Sequence, residues 1–159
     1  MQLKLTIASQ IPLGYTTPSF PSLYWPINPL PGAPQHLYRI FDIWRFTLFW
    51  TLLTFATVHL LASLYAVIMI LRSALTTKKK PLGEKNQVRS TAVWVWVVPV
   101  GFLFVAAAEA VMAGSLVGVV IGAVYQAGGF KMSTWMPLLW GAVNVLVVIL
   151  SSFSIRGGL

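Results

Sequence analysis

The chain has 159 residues, 57% of them apolar and only 9% charged, with 11 Lys or Arg against 3 Asp or Glu and a formal charge of +8. Soluble domains carry about 25% charged residues, so this composition excludes a water-exposed globular surface, and with it a soluble enzyme or a solvated disordered tail. The absence of cysteine excludes disulfide scaffolds, zinc–thiolate sites and S-palmitoylation.

Residues 1–34 hold Pro12, Pro18, Pro21, Pro26, Pro29, Pro31 and Pro34. That density blocks both helix and central strand and predicts extended or turn-rich backbone. The run Leu3–Ala8 is too short, and too interrupted by Lys4, to read as a signal-peptide core. Phe20, Tyr24 and Trp25 among the prolines point to a segment lying on the membrane surface or on a partner, with a mobile linker as the alternative. Over residues 35–45, Leu37, Ile40, Phe41 and Trp44 recur at helical spacing between His36, Arg39, Asp42 and Arg45. The pattern predicts a short amphipathic interfacial helix, or a polar-faced extension of the span that follows.

Residues 46–71 contain no Asp, Glu, Lys or Arg. At about 1.5 Å per residue they reach ~39 Å, enough to cross a ~30 Å hydrocarbon core with tilt. A second charge-poor block predicts a transmembrane helix over residues 91–124, capped by Ser90 or Thr91 and bent near Pro99–Val100–Gly101. Gly128 and Gly129 end it, within a turn over 125–135. Ser133 or Thr134 then caps a third span over 136–155, where Pro137 falls in the tolerated first turn. The expected fold is an all-α integral membrane protein: three transmembrane helices preceded by a proline-rich extended segment and a short interfacial amphipathic helix.

Charge position sets the expected orientation. The loop 72–90 holds Arg72, Lys78, Lys79, Lys80, Lys85 and Arg89, and Arg156 lies on the same side, against Arg39, Arg45 and Lys131 opposite. Cytosolic loops carry the Lys/Arg excess, which places this loop and the tail 156–159 in the cytosol and the N-terminal segment in the lumen. Trp94 and Trp96 on one side, and Tyr125, Trp135 and Trp140 on the other, match interfacial aromatic belts. The basic loop also suits anionic lipid headgroups, although its role as a topology determinant suffices to explain it. One short basic loop without interleaved aromatics gives no support to nucleic-acid binding.

Two constellations stand out within the spans. Ala106, Ala110, Gly114, Gly118 and Gly122 recur every fourth residue and form a shallow groove that admits a second helix backbone. Packing against another span of the same chain is the simpler reading; a docking face for another protein is the sharper one. The second constellation is polar: His59, Glu109 and Asn144. Counted from the ends assigned to the cytosol they lie ~18, ~20 and ~17 Å deep, so all three can meet near the midplane. A lone carboxylate there is costly, and Glu109 must be protonated, hydrogen-bonded or open to water. The cluster reads as an interhelical clamp or as a proton relay. No phosphate loop, metal-ligand spacing or nucleophile elbow occurs, so no catalytic residue, metal or cofactor is expected beyond bound phospholipid.

Ala113–Gly114, then Ile121–Gly122–Ala123–Val124–Tyr125–Gln126–Ala127–Gly128–Gly129 and Met132, resemble the transmembrane protein 170 family. His59–Leu60, Arg72 and Trp140–Gly141 add to the likeness, which covers roughly residues 45–156. That family comprises small three-span proteins of the endoplasmic reticulum and nuclear envelope. The resemblance implies a membrane-shaping role, favouring sheet-like reticulum and normal nuclear-envelope and pore organisation, with no catalytic residue to carry over. The proline-rich segment and Glu109 stand outside it. The combined expectation is a non-enzymatic structural or adaptor subunit of those membranes. It would engage the bilayer and other membrane proteins, with a bridge-like lipid-transfer assembly as one partner class, and it leaves room for homo-oligomers. The alternative is an oligomeric proton-coupled carrier or small channel that uses His59 and Glu109.

Overall fold

The computed structural model describes residues 11–12, 14–23, 36–77 and 85–154. Tyr24, Trp25, Lys78, Lys79, Lys80 and Arg156 lie outside them. Five elements follow in order: β1 (His36–Leu37), α1 (Ile40–Thr77), α2 (Lys85–Gly128), β2 (Met132–Ser133) and α3 (Trp135–Ser154). Spans of 34, 34 and 19 residues within the three helices are long and apolar enough to cross a membrane. In hydrocarbon every backbone polar group must be satisfied internally, which favours uninterrupted helix over these stretches. Only 17%, 28% and 17% of the most apolar stretch of each span is buried in the protein, so most apolar side chains face outward, as a lipid solvent requires.

The chain divides into two compact units. One comprises Met1–Thr54 with Ala110–Leu159, the other Phe55–Glu109. In the first, β1 and β2 pair antiparallel, with His36 opposite Ser133 and Leu37 opposite Met132. Leu37, Ile43, Phe46, Trp50, Ile121 and Met132 form its buried core, with Phe20, Leu23, Val117 and Tyr125 packed against it. In the second, segments of α1 and α2 bring together Phe55, His59, Phe102 and Glu109.

Several expectations require correction. No separate amphipathic helix occupies 36–45: His36 and Leu37 form a strand, and α1 begins at Ile40 and runs straight into the span, which is the alternative of an extended span. The ladder to β2 satisfies backbone groups that a helix would otherwise have claimed, and Leu37 is fully buried as a strand residue. Of the apolar stripe, Leu37 is buried and Phe41 is 59% exposed. The buried face is turned to Asp42, Ile43, Phe46, Thr47, Trp50 and Thr51. Ser90 and Thr91 do not cap α2; they lie inside a helix that begins at Lys85, because the breakers Pro81 and Gly83 precede that start. Pro99 lies within α2, which continues on both sides of it.

At its far end α2 stops as its glycines dictate. Gly129 takes φ +67°, the left-handed conformation that costs glycine least. Gly129 N–H donates to Gln126 O at 3.3 Å and Phe130 N–H to Tyr125 O at 3.0 Å, the paired bonds of a Schellman cap. This turn delivers the chain into β2. Ser133 Oγ then lies 3.5 Å from the Trp135 amide at the start of α3.

Residues 14–23 pack on the first unit. The Phe20 ring meets Phe46, Phe49 and Trp50 with centroids 5.7, 5.3 and 5.2 Å away, and Pro18 is fully buried. Such aromatic pairs each contribute about 0.5–1.5 kcal/mol beyond area burial.

The five small residues of α2 are all buried. A Cβ on Gly114 would lie 3.2 Å from the Leu48 Cα, and one on Gly118 would lie 3.1 Å from the Trp44 Cα. By contrast a Cβ on Gly101 would meet nothing within 4 Å. Backbone cannot yield as a flexible side chain does. We therefore expect Gly118→Ala to destabilise the fold by about 1–3 kcal/mol and Gly118→Leu to abolish it. Gly101→Ala should stay within ~1 kcal/mol of the parent. Unfolding midpoints in detergent micelles compare the three; equal midpoints for Gly118→Leu and the parent would refute a close seam.

Candidate functional site

The seam between helices in the first unit is closely built. Gly114, Gly118 and Gly122 lie against Thr51 and Leu48, against Trp44, and against Ile40, respectively. Gly141 of α3 approaches the same segment of α1: a Cβ there would lie 3.0 Å from the Trp50 carbonyl carbon. One stretch of α1, residues 40–51, thus receives glycines from two other helices. Without a hydrophobic drive between helices in lipid, this close contact is what holds them, through dispersion and short polar bonds.

Polar side chains line the same stretch. Thr47 Oγ1 donates to Ile43 O at 2.8 Å and Thr51 Oγ1 to Thr47 O at 2.7 Å. Thr54 Oγ1 donates to Trp50 O at 3.0 Å and lies 3.1 Å from Gly141 O. Asn144 Nδ2 donates to Thr51 Oγ1 at 3.4 Å, so a buried amide on α3 is tied to a buried hydroxyl on α1. Each hydroxyl is satisfied by the preceding turn, which keeps the desolvation cost of a polar group in an apolar site low.

In the second unit, the ring of His59 stacks on Phe55 at 6.1 Å, and its Nδ1 lies 2.9 Å from Phe55 O. A carbonyl only accepts, so Nδ1 must carry a hydrogen. Its other nitrogen, Nε2, lies 3.5 Å from Glu109 Oε2, which is buried and makes no hydrogen bond of standard geometry. With Nδ1 committed as a donor, a hydrogen bond between Nε2 and Oε2 would need one proton between them. Imidazolium faces carboxylate, or neutral imidazole faces carboxylic acid; without that proton two lone pairs would oppose each other.

The third feature is the lock on the N-terminal segment. Asp42, buried in the first turn of α1, accepts from Tyr15 Oη and Thr17 Oγ1, each at 3.2 Å. A carboxylate there also meets the positive end of the helix dipole. Tyr38 packs edge-on against Tyr15 at 5.1 Å, and the Arg39 guanidinium lies over the Tyr15 ring at 5.7 Å. Burial, aided by the Asp42 carboxylate, pushes the Tyr15 phenol up from 10.0 to about 12. Burial and then the nearby Lys131 ammonium hold His36 below its ordinary value.

The remaining residues of interest fall as follows. Ile40 and Trp44 take part in the glycine seam, and Phe41 stacks obliquely on Trp44 at 5.5 Å. Arg72 is exposed near the end of α1, and Lys85 and Arg89 lie in the first turns of α2. Ala106 is 2% exposed and Ala110 fully buried. Among the described residues no group of three His, Cys, Asp or Glu comes together. Sequence reading passed over Thr47, Thr51 and Thr54, placed Asp42 on a polar helix face, and met Gly141 only within the family likeness. The signal was present: Thr47, Thr51 and Thr54 recur at 4 and 3 residues inside a charge-free span, the spacing of one helix face.

Three long helices that expose their apolar side chains, packed through glycines and satisfied hydroxyls, define a multi-pass membrane protein. The chain belongs to the family described as Transmembrane protein 170A/B-like, whose sequence profile matches residues 36–159. A Saccharomyces cerevisiae protein carried under the name "Uncharacterized protein YPR153W" is 37% identical over 149 residues, covering 94% of this chain and 93% of that one. No solved structure matches the chain. The profile begins at β1, so it takes in both strands and all three helices.

Two measurements follow from these contacts. Glu109→Gln keeps a group able to donate to His59 Nε2 and should cost less stability than Glu109→Leu, with the difference under ~2 kcal/mol; unfolding in detergent checks the order. Tyr15 should stay un-ionised after an unfolded tyrosine has lost its proton at 10.0. Its contribution to stability is therefore complete below pH 10 and is lost as pH rises toward about 12. Tyrosinate absorbance, read as the difference between the parent and Tyr15→Phe, checks the midpoint, and Asp42→Asn should lower it.

Proposed function

We propose that the protein is a non-enzymatic structural or adaptor subunit of the endoplasmic reticulum and nuclear envelope, with its N-terminus lumenal and its C-terminus cytosolic. It shapes the membrane, or anchors a larger assembly, through helix packing. Membership of the Transmembrane protein 170A/B-like family supports the membrane role, and the basic residues of the 72–89 stretch support the orientation. The observation that carries the reading is the outward apolar surface. Met112, Leu116 and Val124 are 68%, 69% and 63% exposed, while Gly114, Gly118 and Gly122 of the same helix are buried. An internally closed scaffold with broad apolar faces suits lateral contact with bilayer and with other membrane segments, including a bridge-like lipid-transfer assembly or a second copy of the chain.

A second reading rests on the His59–Glu109 pair: a proton-coupled carrier or small channel formed by oligomerisation. Gentle extraction into native nanodiscs followed by mass analysis separates the two. The adaptor reading expects a stoichiometric membrane protein bound to the chain, and recovery as a lone monomer would overturn it. The carrier reading expects proton flux into proteoliposomes that Glu109→Gln removes; flux equal to empty liposomes would dispose of it.

A further inference from the structure

Where the spans end, the first unit contains a cleft of about 420 Å³ lined by Tyr38, Tyr125, Gln126 and Lys131, with Ile11 and Phe130 as its apolar walls. Its position follows from the chain. Tyr38 lies two residues before α1, Tyr125 and Gln126 close α2, and Lys131 lies between α2 and the start of α3 at Trp135. All of these are span ends, so the cleft sits at headgroup depth. Gly129 makes the sharp turn that places Phe130 and Lys131 back over the end of α2.

The chemistry of the lining is one-sided. It offers two phenols, a carboxamide and an ammonium, all able to donate hydrogen bonds, and no carboxylate. Among the described residues Lys131 has no acid within ion-pair distance. The acid nearest in sequence to this end of α1, Asp42, already accepts from Tyr15 and Thr17. A cleft of this size falls in the range of small-molecule sites. Ile11 and Phe130, apolar and in the same lining as the Lys131 ammonium, match a ligand with a phosphate at one end and hydrocarbon at the other.

We propose that this cleft binds the phosphate ester of an anionic phospholipid headgroup, with Lys131 as the charge partner, Tyr38, Tyr125 and Gln126 as neutral donors, and Ile11 and Phe130 against the start of the acyl region. The site shares no residue with the basic 72–89 stretch or the His59–Glu109 pair, and it does not depend on the adaptor reading.

The test uses the full chain reconstituted in vesicles of phosphatidylcholine mixed with phosphatidylglycerol, then released for native mass analysis of retained lipid. The parent should keep phosphatidylglycerol in preference to phosphatidylcholine. Lys131→Gln should lose that retention by about tenfold, the effect of removing one charge-assisted hydrogen bond, while Lys131→Arg keeps it. Arg45→Gln, at a cation of α1 outside the cleft lining, should retain lipid as the parent does. Equal retention by Lys131→Gln and the parent overturns the proposal, as does a loss in Arg45→Gln matching that in Lys131→Gln. Glycerol phosphate in solution tests the other source of the same chemistry: displacement of the lipid at comparable concentration would assign the cleft to a soluble phosphate ester and overturn the headgroup.

Discussion

The first unit depends on how closely helix backbones approach one short stretch of α1. Between Ile40 and Thr51, glycines of α2 and of α3 come to contact distance from main-chain atoms of α1. In lipid the surrounding hydrocarbon is as apolar as any leucine, so side-chain burial alone does not favour helix association. What remains is the number of atoms brought within dispersion range, and removing a Cβ brings two backbones nearer. The threonines follow from the same constraint. A helix approached this closely presents small side chains, and a buried hydroxyl is tolerated where it bonds to the carbonyl one turn back, as Thr47 and Thr51 do.

This explains which parts of the fold were legible in the sequence. The three spans followed from the absence of charge over long stretches, because the bilayer admits few alternatives. The end of α2 followed from Gly128–Gly129, since the cap geometry calls for glycine. The start of α1 did not. The stripe Leu37, Ile40, Phe41 and Trp44 was read as the apolar face of a short interfacial helix or of an extension of the span. Hydrophobicity in lipid does not say which residues face the protein: Phe41 is exposed, while Asp42, Thr47 and Thr51 are buried. The strand pair was equally hidden, because two residues at 36–37 and two at 132–133 have no periodicity to detect, and only their closeness in space defines them.

The candidate site residues divide along the same line. The four-residue repeat of α2 was visible because small residues at fixed spacing are rare by chance, and its partner on α1 was not, since Trp44, Leu48 and Thr51 share no residue type. Asn144 was visible as a polar group inside a span; that it reaches Thr51 could not be read from depth alone. Asp42 looked like part of the polar face of a helix, whereas it anchors Tyr15 and Thr17 from a segment some 25 residues upstream.

The committed Nδ1–H of His59 has an electrical consequence. A hydrogen bond between Nε2 and Oε2 would hold one proton, and the pair would then have zero net charge in both of its arrangements. Such a pair is a dipole and not an ion, which lowers the cost of an acid within an apolar span. Membrane voltage does about 2.3 kcal/mol of work per 100 mV on a charge that crosses the whole bilayer. A proton passing between two atoms 3.5 Å apart traverses roughly a tenth of a ~30 Å core. Exchange inside the pair is thus nearly blind to transmembrane potential.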